Sequence, residues 1–254
     1  ATLLLSVFYS DTIIFNEYKS RWLEKHNGNM NTFSRADFGG WVVIGERLAK
    51  HIRKMLDNKE EMKEILDLFG TDNGDFIQAV ASKGLFHVFR ITNTYRNDWR
   101  GHGGISGEVE NKRRLTLLET ELRKFREEIK NCFEGFLLYL PQENRHQDGI
   151  YFYRVKSIMG SNPLFGTKNI ETNSILDDGK LYFQDVEKRF PLKLIPFFIM
   201  MSEPQHEKNA CYFYSKLEKG SAKWITYHYD QKPEMHMFPD DLGDFLEILR
   251  SENE

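Results

Sequence analysis

Up to residue 140 the hydrophobic positions recur at intervals of three and four, the period of a helix face; beyond residue 149 they alternate or run together, as strands do. From about Leu3 to His26 the chain is rich in aliphatic and aromatic residues and lacks proline, which predicts helix, and the polar run 27–32 reads as a loop. Ser34 is the expected N-cap of the next helix, with Asp37 three residues on. That helix carries Phe38, Trp41, Val42, Ile44, Leu48, Ile52 and Leu56, and Lys50, Arg53 and Lys54 fall in its last turns, where cations suit the helix dipole. Two shorter helices are expected over Lys59 to Phe69, ending at Gly70, and over Asp75 to Ser82, ending near Gly84. Next, Leu85, Val88, Phe89, Thr92 and Tyr95 share one helical face. Gly101, Gly103 and Gly104 then close that helix, because glycine loses too much backbone freedom to sustain one. The longest periodic segment runs from Glu108 to about Leu138, with Leu115, Leu118, Leu122, Phe125, Ile129, Cys132, Phe133 and Phe136 in one apolar stripe.

The period changes after the polar run 141–149, which reads as a boundary loop. Strands are expected over Ile150 to Ile158, Lys180 to Gln184, Leu192 to Met201, Ala210 to Leu217 and Lys223 to Tyr229. Asp177-Asp178-Gly179 and Glu218-Lys219-Gly220-Ser221 look like hairpin turns, and Pro196 marks a bend or a start within its apolar run. Asp240 to Arg250 reads as a closing amphipathic helix. The expected class is therefore α+β: a helical part over residues 1–140, then a small antiparallel β-rich module with a terminal helix over 149–254.

Composition narrows the chemistry. A chain of 254 residues that is 40% hydrophobic and 14% aromatic can build a substantial core, as one large domain or two ordinary ones. A formal net charge of −3 argues against a surface that grips nucleic acid everywhere, though not against a local basic site. Cys132 and Cys211 lie far apart, so no disulfide framework is expected and a reducing, cytoplasmic setting fits. No array of cysteine and histidine has zinc spacing, and neither a metal nor another cofactor is expected. No stretch approaches the roughly 20 apolar residues of a membrane span, and the apolar opening lacks a basic leader, so neither a membrane nor a signal peptide enters the picture. A start without methionine inside an apolar run suggests a portion of a longer protein or a processed chain.

The most specific chemistry sits at the glycine-closed helix end, in Tyr95-Arg96-Asn97-Asp98-Trp99-Arg100-Gly101-His102-Gly103-Gly104. There a fixed cation, Arg96, precedes an imidazole, His102, that titrates near neutrality. The stretch resembles the Arg-x(4–6)-His motif of the HEPN superfamily, with Asn97 matching the polar residue common after the family's arginine. The resemblance covers roughly residues 32–139. It implies an N-terminal HEPN-like helical bundle with the motif near the end of an inner helix, and an activity as a metal-independent endoribonuclease on RNA. It also implies a homodimer through the helical domain, in which two copies of the motif share one cleft, and a setting in antiphage defence or a toxin system. Many members are non-catalytic, so the alternative the resemblance admits is a non-catalytic dimerisation or adaptor module in a larger defence or signalling assembly. A regulatory protein partner or additional domains fit either role. A nucleotide-binding regulator, with Arg96 and Arg100 on a phosphate, is a third reading.

On the nuclease reading Arg96, Asn97 and His102 are catalytic: Arg96 stabilises the charged phosphorane, His102 is base or acid, and Asn97 orients the imidazole or the phosphate. Arg100, Arg113 and Arg114 are candidates for holding RNA phosphates. Each has a plainer reading. Arginine and histidine near a helix C-terminus also complement its dipole, and Arg113 and Arg114 also belong to a solvated face laced with i,i+4 pairs. Trp99 is either core or a base-stacking ring. The aromatics Tyr151, Phe152, Tyr153, Tyr212, Phe213, Tyr214, Tyr227 and Tyr229 are either strand core or a stacking surface. His206, His228 and His236 have no ligand spacing.

Overall fold

A computed structural model describes residues 1–24, 33–34, 37–101, 107–159, 165–203, 208–227 and 233–250. The chain is α+β, with N-terminal helices followed by antiparallel sheets and a terminal helix. The helices are α1 (Thr2–Tyr9), α2 (Thr12–Leu23), α3 (Phe38–Asp57), α4 (Lys59–Phe69), α5 (Gly74–Val80), α6 (Lys83–Gly101) and α7 (Glu108–Ile129). The strands β1 (Phe136–Gln147), β2 (Ile150–Ser157), β3 (Thr167–Thr172), β4 (Tyr182–Asp185) and β5 (Leu192–Lys193) form one sheet in the order β3-β2-β1-β4-β5. A second sheet, in the order β6-β7-β8-β9, holds β6 (Phe198–Glu203), β7 (Lys208–Glu218), β8 (Ser221–Thr226) and β9 (Glu234–Met237), and α8 (Asp240–Arg250) follows. No described helix is long and apolar enough to cross a membrane.

Contacts group the chain into two compact units that do not follow the linear division at residue 140. One comprises Ala1, Asp37–Ile65 and Asn73–Glu134; the other comprises Thr2–Ala36, Leu66–Asp72 and Gly135–Glu254. In the first unit, α6 packs against both α3 and α7. The buried side of α3 is Val42, Ile44, Leu48, Ile52 and Met55, and α6 contributes Leu85, Phe86 and Val88. Gly45 lets these helices approach: a Cβ there would come within 2.6 Å of the Phe86 ring. The N-cap of α3 is Asp37, whose Oδ1 accepts from Gly39 N at 3.2 Å, and not Ser34. Gly84 lies inside the first turn of α6, behind the N-cap Ser82, and terminates nothing.

Helix α7 departs furthest from its expected face. It stops at Ile129, and Leu115, Leu118 and Leu122 of the expected core stripe are 57%, 39% and 51% exposed. The covered side is offset by one residue, about 100° round the helix: Arg114, Leu117 and Glu128 are half-buried there with Phe125 of the expected stripe, and Glu121 is only 4% exposed. One carboxylate oxygen of Glu121 takes a bond from Lys124 Nζ at 2.7 Å, and the other has no partner among the described residues.

The second unit joins α1, α2 and α8 to the four-stranded sheet through aromatic rings. Phe8 meets Trp22 with centroids 4.4 Å apart, Phe15 meets Phe245 at 6.2 Å, Phe197 meets Phe245 at 5.4 Å and Tyr214 meets Trp224 at 5.7 Å. Two buried polar groups show how the interior is satisfied. Ser6 Oγ accepts from Ile195 N at 2.9 Å and donates to Thr2 O at 2.8 Å, and Lys19, 2% exposed, reaches the Ile248 carbonyl at 2.8 Å near the end of α8. The expected single helix over 3–26 is two, because Asp11 caps a fresh start: its Oδ1 accepts from Ile13 N and Ile14 N at 2.9 and 3.0 Å.

The polar run 141–149 is no boundary loop. It is the outer half of β1 and its hairpin with β2, turning at Asp148 (φ 51°) and Gly149 (φ 79°). Its residues after Pro141 are exposed, so no alternation marks them as strand. The run 192–201 likewise divides at Pro196 between β5 and β6, which lie in different sheets. Beneath the five-stranded sheet, Leu137, Tyr139, Tyr153, Val155, Leu176 and Tyr182 form a small core, with Tyr139 Oη donating to Gln184 Oε1 at 2.8 Å.

Candidate functional site

Helix α6 begins where Ser82 Oγ accepts from Leu85 N at 2.9 Å and donates to Glu128 Oε2 of α7 at 2.6 Å. Farther along, Phe89 meets Phe125 with centroids 5.9 Å apart, and the Arg114 guanidinium lies 5.4 Å from the centroid of the Trp99 ring. Helices α6 and α7 thus run antiparallel, and the register places Asn93 level with Glu121. Asn93 Oδ1, like the outer oxygen of Glu121, is buried without a partner among the described residues.

Helix α6 extends to Gly101, so Arg96 and Arg100 are helical and one turn apart. Arg96 is half-buried, and among the described residues no carboxylate or other hydrogen-bond partner holds its guanidinium. Asn97 is exposed beside it. Trp99 stacks on Tyr95, one turn back, with centroids 5.6 Å apart and planes 9° from parallel. Neither ring is buried. His102 lies outside the described residues, as does the side chain of Arg100.

The basic start of α7 is arranged around one acid. Glu110 accepts from Arg113 Nε at 2.8 Å and Nη2 at 2.9 Å, and from Arg114 Nε at 2.8 Å. These bonds, Arg113's first and Arg114's second, pull the Glu110 carboxyl down to about 2. Two guanidiniums share one carboxylate, so the cluster keeps a unit of positive charge. The structure brings Arg114 onto Trp99, close in the chain to Arg96, and fixes Arg113 alongside it. Glu110 was the residue missed; its i,i+3 and i,i+4 spacing to the two arginines was there to be read. The cation–π contact was not, because it depends on how the two helices turn back on each other.

Of the aromatic residues on the strands, Tyr153, Tyr212 and Tyr214 are buried core, whereas Phe152 is half-buried and Phe213 and Tyr227 reach solvent. Tyr229, His206 and His228 lie outside the described residues. Both thiols are free, Cys132 half-buried in the first unit and Cys211 buried in the second, where burial pushes its thiol up to about 12. Among the described residues no group of three or more histidine, cysteine, aspartate or glutamate side chains could hold a metal ion. Comparison of the chain with protein-family models, with curated proteins and with solved structures finds no match.

Proposed function

We propose that the chain is a metal-independent endoribonuclease of HEPN type, acting as a homodimer and as an effector in antiphage defence or a toxin system. The observation that carries this reading is Arg96. It is a half-buried guanidinium near the end of an inner helix, without a carboxylate among the described residues, while the neighbouring Arg113 and Arg114 are both engaged. An arginine kept free of acids at a glycine-closed helix end is available for the oxygens of a phosphodiester. In the reaction a base removes the proton of a ribose 2′-hydroxyl, and the 2′-oxygen bonds to phosphorus. The P–O5′ bond then breaks as an acid protonates the leaving 5′-oxygen, giving a 2′,3′-cyclic phosphate and a 5′-hydroxyl. Arg96 neutralises the phosphorane, Asn97 orients, and His102 transfers a proton. A second proton-transfer group comes from the other protomer's copy of the segment.

A specific observation favours the second reading, a non-catalytic dimerisation or adaptor module. Leu115, Leu118 and Leu122 make an exposed apolar stripe on α7, and exposed apolar stripes serve association with or without chemistry. The test is cleavage of a structured RNA in EDTA by the intact chain, by Arg96→Ala and by His102→Ala, with folding and oligomeric state measured beside it. Cleavage by the intact chain and loss in both folded variants is the expected result. Equal cleavage by wild type and variants would refute the assignment of these residues, and a dimer that never cleaves RNA would favour the adaptor.

A further inference from the structure

The outer half of the β1–β2 hairpin and the edge strand β3 border an open groove of about 750 Å³, together with the loop after β4. That is within the range of about 300–1,000 Å³ typical of small-molecule sites. Its lining residues include four cations, Arg145, Arg154, Lys168 and Arg189, and three acids, Glu143, Glu171 and Glu187, an excess of one positive charge. Arg145 of β1 sits opposite Phe152 of β2, and its guanidinium lies over that ring, 5.0 Å from the centroid. Among the described residues Arg145 has no carboxylate partner, whereas Lys168, level with the buried Val155, lies on the opposite face of the sheet. Arg154 is only loosely engaged, 3.9 Å from Glu143, with both side chains more than half exposed. Arg189 is the one cation here in a close pair, at 2.6 Å from Glu171.

The arrangement offers three things at once. Arg145 and the loosely held Arg154, on one face of the sheet with Phe152, supply positive charge, Phe152 supplies an apolar ring with a guanidinium over one side, and the exposed amide of Asn169, level with Arg154 across the strands, supplies paired donor and acceptor. Phosphate, base face and base edge are the three recognition elements of a nucleotide. We infer that this groove binds a nucleoside phosphate, either free or as a unit of single-stranded RNA. The inference is independent of Arg96 and His102 in its residues, and it rests on the nuclease reading only where RNA is the source.

The two sources separate by probe. Adenosine monophosphate is titrated calorimetrically, and a fluorescein-labelled 2′-O-methyl octanucleotide of mixed sequence is titrated by anisotropy. The second probe has no 2′-hydroxyl to react, so binding is read whether or not the protein cleaves RNA. Intact chain, Arg145→Ala/Arg154→Ala, Phe152→Leu and Arg96→Ala are compared; Arg145 and Arg154 are exposed, so their loss leaves the core intact. The expected result is binding of at least one probe, weakened about tenfold or more by the double substitution and several-fold by Phe152→Leu, but kept by Arg96→Ala. If the octanucleotide binds, losing two phosphate contacts also flattens the salt dependence by about 1.4 logarithmic units per unit, at roughly 0.7 per contact. Binding of adenosine monophosphate alone assigns a free nucleotide, and of the octanucleotide alone an RNA strand. Binding of neither probe, or binding unmoved by the double substitution, would overturn the proposal. Loss of RNA cleavage in Arg96→Ala with octanucleotide binding intact would show the two sites to be separate.

Discussion

Gly84→Ala is normally a stabilising change inside a helix, and here it is expected to destabilise. A methyl group at residue 84 would fall on the carboxylate of Glu128, which accepts the 2.6 Å bond from Ser82 at the start of α6. The side chain of Glu128 is flexible enough to swing aside, so the backbone need not move; what is lost is the bond and the negative charge at the helix N-terminus. A hydrogen bond to a charged group contributes about 1.5–3 kcal/mol, and alanine over glycine returns roughly 0.8–1 kcal/mol of helix propensity. The net expectation is destabilisation by about 0.5–2 kcal/mol. In a Glu128→Ala background the obstruction is gone, and the same substitution should stabilise by up to about 1 kcal/mol. The sign therefore inverts between backgrounds, and that inversion is the test. Native-state hydrogen exchange at Leu85 reads it locally, because the Leu85 N–H donates to Ser82 Oγ at 2.9 Å. Equal effects of Gly84→Ala in both backgrounds would refute the reasoning, since Glu128 would then contribute nothing to the cap.

Two further expectations concern the hairpin of α6 and α7. The folded Glu110 carboxyl lies below its ordinary value of 4.5, so its pairs with Arg113 and Arg114 stabilise fully above about 4.5 and are lost as pH falls toward about 2. A carboxyl-carbon NMR titration at low salt should place the midpoint near 2 and see it rise in 1 M salt; a low-salt midpoint at 4.5 would refute the cluster. Glu121→Leu removes a buried carboxylate with an unpartnered oxygen. It should leave stability unchanged or raise it by about 1 kcal/mol in denaturant unfolding, whereas a loss beyond about 1 kcal/mol would mean that the oxygen has an essential partner.

Much of the architecture was legible where one face of an element is buried and the other wet. Helices α4 and α8 keep their expected bounds, α4 stopping before Gly70, and the β7–β8 turn at Lys219-Gly220 (φ 50° and 80°) was visible in its composition. Legibility failed where burial does not follow period. The outer half of β1 is exposed on both faces, so its strand character is held by backbone pairing to β2 alone. In α7 the leucines announced a core face, yet the helix turns Glu121 inward, because packing against α6 is set by the whole hairpin and not by one helix's pattern. The break at Asp11 was written in a single capping residue inside an otherwise helical run. At the candidate site the sequence displayed Arg96 and Asn97 on a helix end, and the structure adds what no spacing carries: that Arg113 and Arg114 are engaged while Arg96 has no partner among the described residues. The groove beside β3 escaped notice because its residues come from three strands, each unremarkable alone.

The aromatic interlock of α1, α2 and α8 has a consequence for how the protein comes into being. Its opening helices find their partners, Ile195, Phe245 and Ile248, only when the chain has been translated to about residue 250. Residues 37–134 close most of the first unit with local contacts long before that. During synthesis the greasy faces of α1 and α2 therefore wait unpartnered, the interval in which a nascent chain is most exposed to aggregation and to chaperones. A fragment cut at residue 140 would hold them in that waiting state permanently, and any attempt to express the helical part alone should begin near residue 37 and not at the first residue.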